Sequence, residues 1–295
     1  MKTDLECFPC FIKQTIKTAK IATSDQDIQR RIINRVLEKL IYLDLTVPPP
    51  KNAPIIYETI AEFTGNKDVY AGIKKKYNDQ VLKLYPLIIK KINESQDKIY
   101  TALQLSIAGN IIDFGAGRDL DINIEKILND LSRVKLKVDD YHKFKPLFFK
   151  AKDILFLGDN AGEIVFDKAI LETINRLYPE KNLYYSVRGE PIINDVTLVD
   201  AENLQIDKFA TVVSNGTSYP GTIIEESSSE MKNIFFKADL IISKGQGNFE
   251  TLYQTYGENL FFAFIIKCDL VSQNLNIELN SPVFMKDEKK QSKSF

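Results

Sequence analysis

The chain has 295 residues, with 39 lysines and arginines against 40 acidic residues, three cysteines and one histidine. A chain of this length can bury a large core in one domain or two, and its balanced charge gives no general attraction to nucleic acid or membranes. Three cysteines do not make a disulfide framework, and a single histidine excludes mechanisms that need two. Carboxylates, amides, lysines and a metal ion remain as the available chemistry.

The amino-terminal residues lack the apolar core of a signal peptide. The longest apolar run, residues 260–266, is too short to span a bilayer. We therefore expect a soluble, cytoplasmic protein whose partner is a small molecule rather than nucleic acid or a membrane. No pattern in the chain indicates its oligomeric state.

The first half of the chain has helical periodicity. Apolar spacing predicts helices over residues 4–22 and from Ser24 to Leu40, and Pro48-Pro49-Pro50 predicts a stiff connector after them. Further helical patterns cover roughly residues 53–64, 69–92, 95–108 and 122–150. Together these segments predict a helical domain over residues 1–150.

The second half alternates strands with helices. Apolar β-type runs cover residues 153–157, 183–187, 209–213, 239–243 and 260–266, and helical patterns such as 162–177 and 226–237 lie between most of them. This alternation is typical of α/β proteins with a mostly parallel sheet. We expect such a domain over residues 151–285 and a frayed tail over residues 286–295.

The segment Gly158-Asp159-Asn160 joins the end of the first predicted strand to the start of a helix. Open α/β sheets bind ligands at this position, and the backbone N–H groups of a helix start favour anions. Oxygens of Asp and Asn suit hard divalent cations such as Mg²⁺ or Mn²⁺. A metal beside an anion pocket indicates phosphate chemistry.

The other four predicted strands end in similar chemistry. They are followed by Arg188-Gly189-Glu190 with Asn194-Asp195, by Ser214-Asn215-Gly216, by Lys244-Gly245-Gln246-Gly247-Asn248, and by Lys267-Cys268-Asp269. In a parallel sheet all five ends share one edge, and glycines there allow close approach of the backbone to a ligand. We therefore predict a ligand site at that edge.

Several residues have two open interpretations. Asp159 is either a helix cap or a metal ligand, and Glu163 either favours the helix dipole or takes part in catalysis. Lys244 and Lys267 are either solvated or paired with phosphate, and we expect at least one of them to bind it.

Two further groups lie away from the strand ends. Asn110 and Asp113 either support the site from the helical half or form a turn. Cys7 and Cys10 form a CxxC motif, which with Cys268 is either a set of buried structural thiols or a second metal site; the structural interpretation is favoured because a zinc site usually needs four ligands.

The combination of these motifs resembles a known family. Gly158–Glu163, Pro191–Asp195, Ser214–Gly216 and Ser243–Glu250, in this order and spacing, are similar to the metal-dependent damage-control phosphatases, the ARMT-like proteins. The CxxC motif and the segment Asn110–Gly115 resemble the stand-alone microbial branch of that family. The resemblance covers nearly the whole chain.

The resemblance implies a helical amino-terminal part packed on a Rossmann-like α/β/α three-layer part. It also implies hydrolysis of phosphomonoesters of small metabolites such as sugar phosphates, supported by Mn²⁺, Ni²⁺ or Co²⁺, or else Mg²⁺. By position, Asp159, Asn160 and Asp195 match the family's metal ligands, and Gln246–Glu250 matches its substrate loop. Lys267 matches the phosphate-binding lysine of an Arg-Thr-x-Lys motif that many relatives have. Here that motif reads Phe264-Ile265-Ile266-Lys267. The loss of its arginine and threonine indicates a substrate different from that of those relatives.

The mechanistic hypothesis is a single cation held by Asp159, Asn160 and Asp195, with either Asp orienting the attacking water or attacking directly. The predicted phosphate and substrate contacts are Lys244, Lys267, Asn215-Gly216 and Gln246-Gly247-Asn248. Two alternatives come from other classes: an S-adenosylmethionine-dependent carboxyl methyltransferase, and a non-catalytic protein that binds a phosphometabolite or a metal.

Overall fold

A computed structural model describes residues 1–109 and 134–288 of the chain. Seven helices lie within the first of these ranges: α1 (Cys7–Ala22), α2 (Gln26–Leu40), α3 (Pro49–Asn52), α4 (Pro54–Thr64), α5 (Ala71–Leu82), α6 (Tyr85–Glu94) and α7 (Lys98–Ala108). Asp25 begins α2, because its carboxylate accepts hydrogen bonds from the N–H groups of Asp27 and Ile28 at 2.8 and 3.1 Å.

Prolines divide two segments differently from the prediction. The helix expected over residues 69–92 is two helices, since Pro86 lies in the first turn of α6, where its missing N–H is tolerated. The connector expected at Pro48-Pro49-Pro50 instead begins α3 at Pro49. Both differences follow from the preference of proline for the start of a helix.

Residues 134–288 contain seven strands, six α-helices and two short 3-10 helices, Ile206–Lys208 and Ile224–Glu226. The strands are β1 (Val138–Asp139), β2 (Asp153–Leu157), β3 (Asn182–Val187), β4 (Thr211–Ser214), β5 (Leu240–Lys244), β6 (Leu260–Ile265) and β7 (Pro282–Lys286). The helices are α8 (Tyr141–Lys150), α9 (Glu163–Leu177), α10 (Leu198–Asn203), α11 (Ser229–Lys237), α12 (Gln246–Leu252) and α13 (Asp269–Leu275). All five predicted strands are present, each within two residues of its expected bounds.

The strands form one sheet in the order β1-β7-β6-β5-β2-β3-β4. The five predicted strands are all parallel to one another, and only the pairing of β6 with β7 is antiparallel. The chain runs outward from β2 through β3 to β4 and then returns to the other side of β2 as β5. The crevice between β2 and β5 is therefore the topological switch point, where open α/β sheets bind ligands.

Helices cover both faces of the sheet. Along β2, Ile154 and Phe156 pack with α6 to α9 on one face, while Leu155 and Leu157 pack with α11, α12 and α13 on the other. This alternation is the period-2 geometry of a strand buried on both sides. A third apolar cluster joins α1, α2 and α4. The predicted α/β fold with a mostly parallel sheet is confirmed.

Three boundaries differ from the prediction. The helix expected over 122–150 is wrong where it is described, because residues 138–139 form strand β1 beside β7 and α8 begins only at Tyr141. Helices α6, α7 and α8 belong to the core of the sheet, so the helical part is not one separate unit. The tail expected from residue 286 starts too early, since Lys286 ends β7 and Asp287 is buried.

No helix within residues 1–109 and 134–288 is both long and apolar enough to cross a bilayer.

Candidate active site

The loops after β2 and β3 are joined by backbone hydrogen bonds. Asn160 and Asp195 form an isolated antiparallel bridge, and the N–H of Val196 donates to the carbonyl of Asp159 at 2.8 Å. These contacts bring together the three residues predicted as metal ligands, Asp159, Asn160 and Asp195. The carboxyl groups of Asp159 and Asp195 are both buried, with 7% and 3% of the residue exposed.

Arg188 lies between these two carboxylates and was not predicted from the sequence as a site residue. Its Nε donates to Oδ2 of Asp195 at 2.7 Å, and its Nη2 is 3.8 Å from Oδ1 of Asp159. The Nη1 group donates to Thr222 and Asn248, at 3.2 Å each. Arg188 Nη2 is buried and has no hydrogen-bond partner among the described residues.

The carboxyl groups of this site have raised pKa values. Burial, together with the charge of Asp195, raises the pKa of Asp159 to about 7. Burial also raises the pKa of Asp195, against the opposing effect of Arg188. The pKa of Glu163 is raised to about 7 by burial, which Lys244 opposes. One buried guanidinium therefore does not offset the cost of ionising both aspartates.

Close backbone approach at the switch point depends on glycine. Gly245, directly after β5, has φ of 81°, and a Cβ atom there would lie 2.0 Å from Cγ of Asp159. A side chain at this position would therefore displace the Asp159 carboxyl group. Gly162, with φ of 85°, begins α9, and its N–H donates to Oδ1 of Asn78 on α5 at 2.7 Å.

The geometry excludes one of the two interpretations of Asp159. Gly162 occupies the N-cap position of α9, and no side chain caps that helix. The carboxylate of Asp159 instead accepts a hydrogen bond from Nδ2 of Asn160 at 2.6 Å. Asp159 is therefore not the cap of this helix.

Comparison with known proteins adds the family. Residues 3–283 match the damage-control phosphatase ARMT1-like domain. The chain belongs to this family.

Named relatives agree with this assignment. A damage-control phosphatase of Pyrococcus horikoshii is 33% identical over 98% of this chain and 99% of its own length, and one of Archaeoglobus fulgidus is 30% identical over 96% and 98%. An uncharacterised protein of Methanocaldococcus jannaschii is 34% identical over 97% and 96%. The crystal structure of a DUF89 family protein from Pyrococcus horikoshii matches with a TM-score of 0.90 and 31% identity, covering 98% of this chain and 100% of that one.

The donor set of this ARMT1-like domain fits a hard divalent cation. Two carboxylates and one carboxamide from adjacent loops supply only oxygen atoms, which Mg²⁺ and Mn²⁺ prefer, and a cation there would offset the unrelieved charge of the aspartates. Within residues 1–109 and 134–288, no group of three or more His, Cys, Asp or Glu could hold a metal ion. A metal at this site thus depends on Asn160 as its third protein ligand.

Lys244 and Lys267 occupy different environments, although both follow strands at this edge. Lys244 is 1% exposed and contacts Asp167 and Glu163 at 2.9 and 3.4 Å. Lys267 is exposed, and its positive charge opposes the burial-driven rise in the pKa of both Asp159 and Glu163. Lys267 is thus a solvent-accessible cation close to the carboxylates.

The residues predicted as the substrate loop form the start of α12. Gln246 receives a hydrogen bond from the backbone N–H of Lys267 at 2.8 Å and donates to Glu250 at 2.7 Å. A Cβ atom at Gly247 would lie 1.8 Å from the carbonyl oxygen of Pro220. The start of α12 is therefore in contact with the backbone of Lys267, after β6, and with that of Pro220, after β4.

Asn248 and Asn215 are fully buried and hold backbone segments together. Asn248 donates to the carbonyls of Gly158 and Lys244 at 3.2 and 2.7 Å. Oδ1 of Asn215 accepts hydrogen bonds from the N–H groups of Gly189 and Thr217 at 3.0 and 2.9 Å. Nδ2 of Asn215 is buried and has no hydrogen-bond partner among the described residues. Gly216, with φ of 78°, follows it.

The three cysteines are free thiols; Cys7 is buried, Cys268 is half-buried and Cys10 is exposed, so the expectation of buried thiols is wrong for Cys10. Desolvation raises the pKa of Cys7 and Cys10, and the charges of Glu250 and Cys268 contribute in the same direction. The alternative of a second metal site gains no support among the described residues. Asn110 and Asp113, predicted as supporting residues, lie outside the described residues.

Proposed function

We propose that this protein is a metal-dependent phosphatase that hydrolyses phosphomonoesters of small metabolites such as sugar phosphates. Membership of the damage-control phosphatase family and two relatives named as such support phosphatase activity in general. The observation that carries the metal-dependent proposal is the pair of buried carboxylates at the switch point. Asp159 and Asp195 share one guanidinium, and their pKa values are raised by burial.

Asp159, Asn160 and Asp195 would hold the metal ion. When bound, a divalent cation of the Mn²⁺, Ni²⁺, Co²⁺ or Mg²⁺ type supplies charge screening for the phosphate and lowers the pKa of a bound water. Arg188 keeps Oδ2 of Asp195 oriented through the 2.7 Å hydrogen bond. Either aspartate would orient a water or attack phosphorus, and the proposal leaves both roles open.

Phosphate binding is assigned to the exposed cation and the glycine loops. Lys267 lies close enough to Asp159 and Glu163 to affect their pKa values, which are raised mainly by burial. Backbone N–H groups at the start of α12 are suited to the equatorial oxygens of a phosphoryl group, whereas the N–H of Gly216 already donates to Oγ of Ser214 at 3.1 Å. Gln246 holds the backbone of Lys267 in this position. Charge that develops on the phosphoryl oxygens would thus meet fixed donors.

The proposal is tested with the purified, chelator-treated full chain. Phosphate release from p-nitrophenyl phosphate and a panel of sugar phosphates is measured with Mn²⁺, Ni²⁺, Co²⁺ or Mg²⁺ added. We expect activity only with added metal. Asp195→Ala should lose it by about 10³-fold or more, the scale for a member of a catalytic unit.

Asp207→Ala, at an exposed position, is the matched control and should retain full activity. Full activity of Asp195→Ala, or activity that is unaffected by chelation, would exclude the proposed site. Metal or phosphate binding without turnover would favour the non-catalytic alternative, and calorimetric binding of S-adenosylmethionine would favour the methyltransferase.

A further inference from the structure

The ammonium group of Lys244 has no donor left for a substrate. Its Nζ is within hydrogen-bond distance of three acceptors: Oδ1 of Asp167 at 2.9 Å, the carbonyl of Ser106 at 3.3 Å and Oε2 of Glu163 at 3.4 Å. An ammonium has three N–H donors, and Lys244 is 1% exposed. A phosphate could reach it only by displacing one of these partners.

One partner of Lys244, Asp167, has hydrogen bonds to both of its carboxylate oxygens. Oδ1 of Asp167 accepts from Oγ of Ser106 at 2.6 Å as well as from Lys244, and Oδ2 accepts from the hydroxyl of Tyr185 at 2.9 Å. Asp167 has no exposed surface. Asp167 therefore holds the ammonium group of Lys244 in a fixed position.

Another partner of Lys244, Glu163, is hydrogen-bonded to Asn160, one of the proposed metal ligands. Oε1 of Glu163 accepts a hydrogen bond from Nδ2 of Asn160 at 3.0 Å, and the same Nδ2 donates to Oδ2 of Asp159 at 2.6 Å. The two N–H donors of the amide are thus both used on carboxylates. The flipped amide would put its oxygen against the same two carboxylates, which is unfavourable. Hence Oδ1 of Asn160 is not used on Glu163 or Asp159 and remains an acceptor that a cation could take as a ligand.

We propose that Lys244 is a positioning residue that holds Glu163, so that Glu163 fixes the amide of Asn160 with its oxygen available to the metal ion. This inference rests on the proposed function for the identity of the metal site. It gives Lys244 a role in metal affinity instead of the phosphate contact expected from the sequence. Partners that orient a metal ligand commonly change metal affinity by about 10–100-fold when they are removed.

The decisive experiment compares the two lysines at the strand ends. Mn²⁺ binding to the chelator-treated protein is measured by calorimetry without substrate, and KM for p-nitrophenyl phosphate and inhibition by inorganic phosphate are measured at saturating Mn²⁺. Lys244→Met should raise the Kd for Mn²⁺ about 10–100-fold with KM and phosphate inhibition unchanged. Lys267→Met should raise KM and weaken phosphate inhibition without weakening Mn²⁺ binding.

A second variant covers the case in which Lys244→Met does not fold. Glu163→Gln keeps an acceptor oxygen at only one of the two positions of Oε1 and Oε2, so it loses the hydrogen bond with either Asn160 or Lys244. It should raise the Kd for Mn²⁺ in the same way. Glu172→Gln, on the same helix α9 but bonded to Tyr85, is the matched control and should leave the Kd unchanged. A merely structural role would lower Tm without moving the Kd of the folded protein.

The outcomes separate this inference from the proposed function. An unchanged Kd with a raised KM in Lys244→Met would overturn the inference by making Lys244 a substrate contact, and an unchanged Kd in folded Glu163→Gln would overturn it equally. A wild-type protein that binds Mn²⁺ but hydrolyses no phosphoester would refute the phosphatase proposal, while the comparison of Mn²⁺ affinities would still stand or fall by itself.

Discussion

Two buried clusters, each with two carboxylates and one cation, lie side by side at the carboxyl ends of β2 and β5. In the rear cluster, Lys244 joins Asp167 and Glu163. In the front cluster, Arg188 joins Asp195 at 2.7 Å and approaches Asp159 at 3.8 Å. Each cluster therefore has the same formal charges, and the two are compared by the hydrogen bonds that their polar atoms make.

The rear cluster is satisfied and the front cluster is not. Both oxygens of Asp167 have partners, and all three donors of Lys244 are used. In the front cluster Nη2 of Arg188 has no hydrogen-bond partner among the described residues. Unsatisfied buried polar groups require an explanation. The contrast supports the proposal that the front cluster binds a ligand, whereas the rear cluster stabilises the fold.

The same substitution in the two clusters should therefore have opposite effects on stability. In the metal-free protein at pH 8, Asp159→Asn removes a buried charge and should raise the free energy of unfolding by on the order of 1 kcal/mol. Asp167→Asn leaves one oxygen for three donors and should lower it by about 1–3 kcal/mol. Urea denaturation measures both. Asp159→Asn should also lose metal-dependent phosphatase activity by about 10³-fold or more.

Asp207→Asn, exposed and outside both clusters, serves as the reference for these measurements. If Asp159→Asn and Asp167→Asn destabilised the metal-free protein equally, the two clusters would have the same structural role, and the distinction between them would be wrong.

The parts of this arrangement that could be predicted are local in sequence. Each apolar run and the glycines and polar residues after it occupy consecutive positions in the chain. The bounds of five strands were therefore predicted to within two residues, and so was the edge of the sheet that their ends share. Strand β1, with two residues, is too short for any pattern to show. Strand β7 is the antiparallel neighbour of β6, and nothing in its own residues indicates that pairing.

The residues that were missed become site residues only through distant contacts. Arg188 follows a strand, as solvated arginines often do, and only the fold shows that it is buried between two aspartates. Asp167, which was also missed, contacts the predicted residue Lys244 from 77 positions away in the chain. One signal was available: Asp167 lies three positions after Ile164 and three before Ile170 on the buried face of α9. A carboxylate in a core-facing stripe predicts a buried partner.

A smaller effect is expected from substitution of Gly245, which directly follows β5 and lies against Asp159 of the front cluster. Gly245→Ala would place Cβ 2.0 Å from Cγ of Asp159 at a residue with φ of 81°. A non-glycine residue there should lower the free energy of unfolding by about 1–3 kcal/mol and should weaken Mn²⁺ binding, because Asp159 must move. Gly72→Ala in α5, with nothing within 4 Å, is the control and should stabilise by about 0.5–1 kcal/mol. Wild-type Mn²⁺ affinity in Gly245→Ala would show that the position of Asp159 is not critical.

The smallest expected effect is a dependence of Tm on pH, to which Asp159 of the front cluster, Glu163 of the rear cluster and Glu250 contribute. The pKa of Asp159 rises by burial from 3.8 to about 7, and burial shifts the pKa of Glu163 and of Glu250 from 4.5 to about 7. Between the unfolded and folded values the native state binds more protons than the unfolded state, so the free energy of unfolding falls as pH rises. Chelator-treated protein should therefore have a higher Tm at pH 5.5 than at pH 8. A change of 1 kcal/mol corresponds to about 2–4 °C.

Asp159→Asn should make this slope shallower, and excess Mn²⁺ should oppose it because metal binding requires ionised carboxylates. Equal slopes in wild type and Asp159→Asn, with and without Mn²⁺, would mean that ionisation of Asp159 does not contribute to the pH dependence of stability.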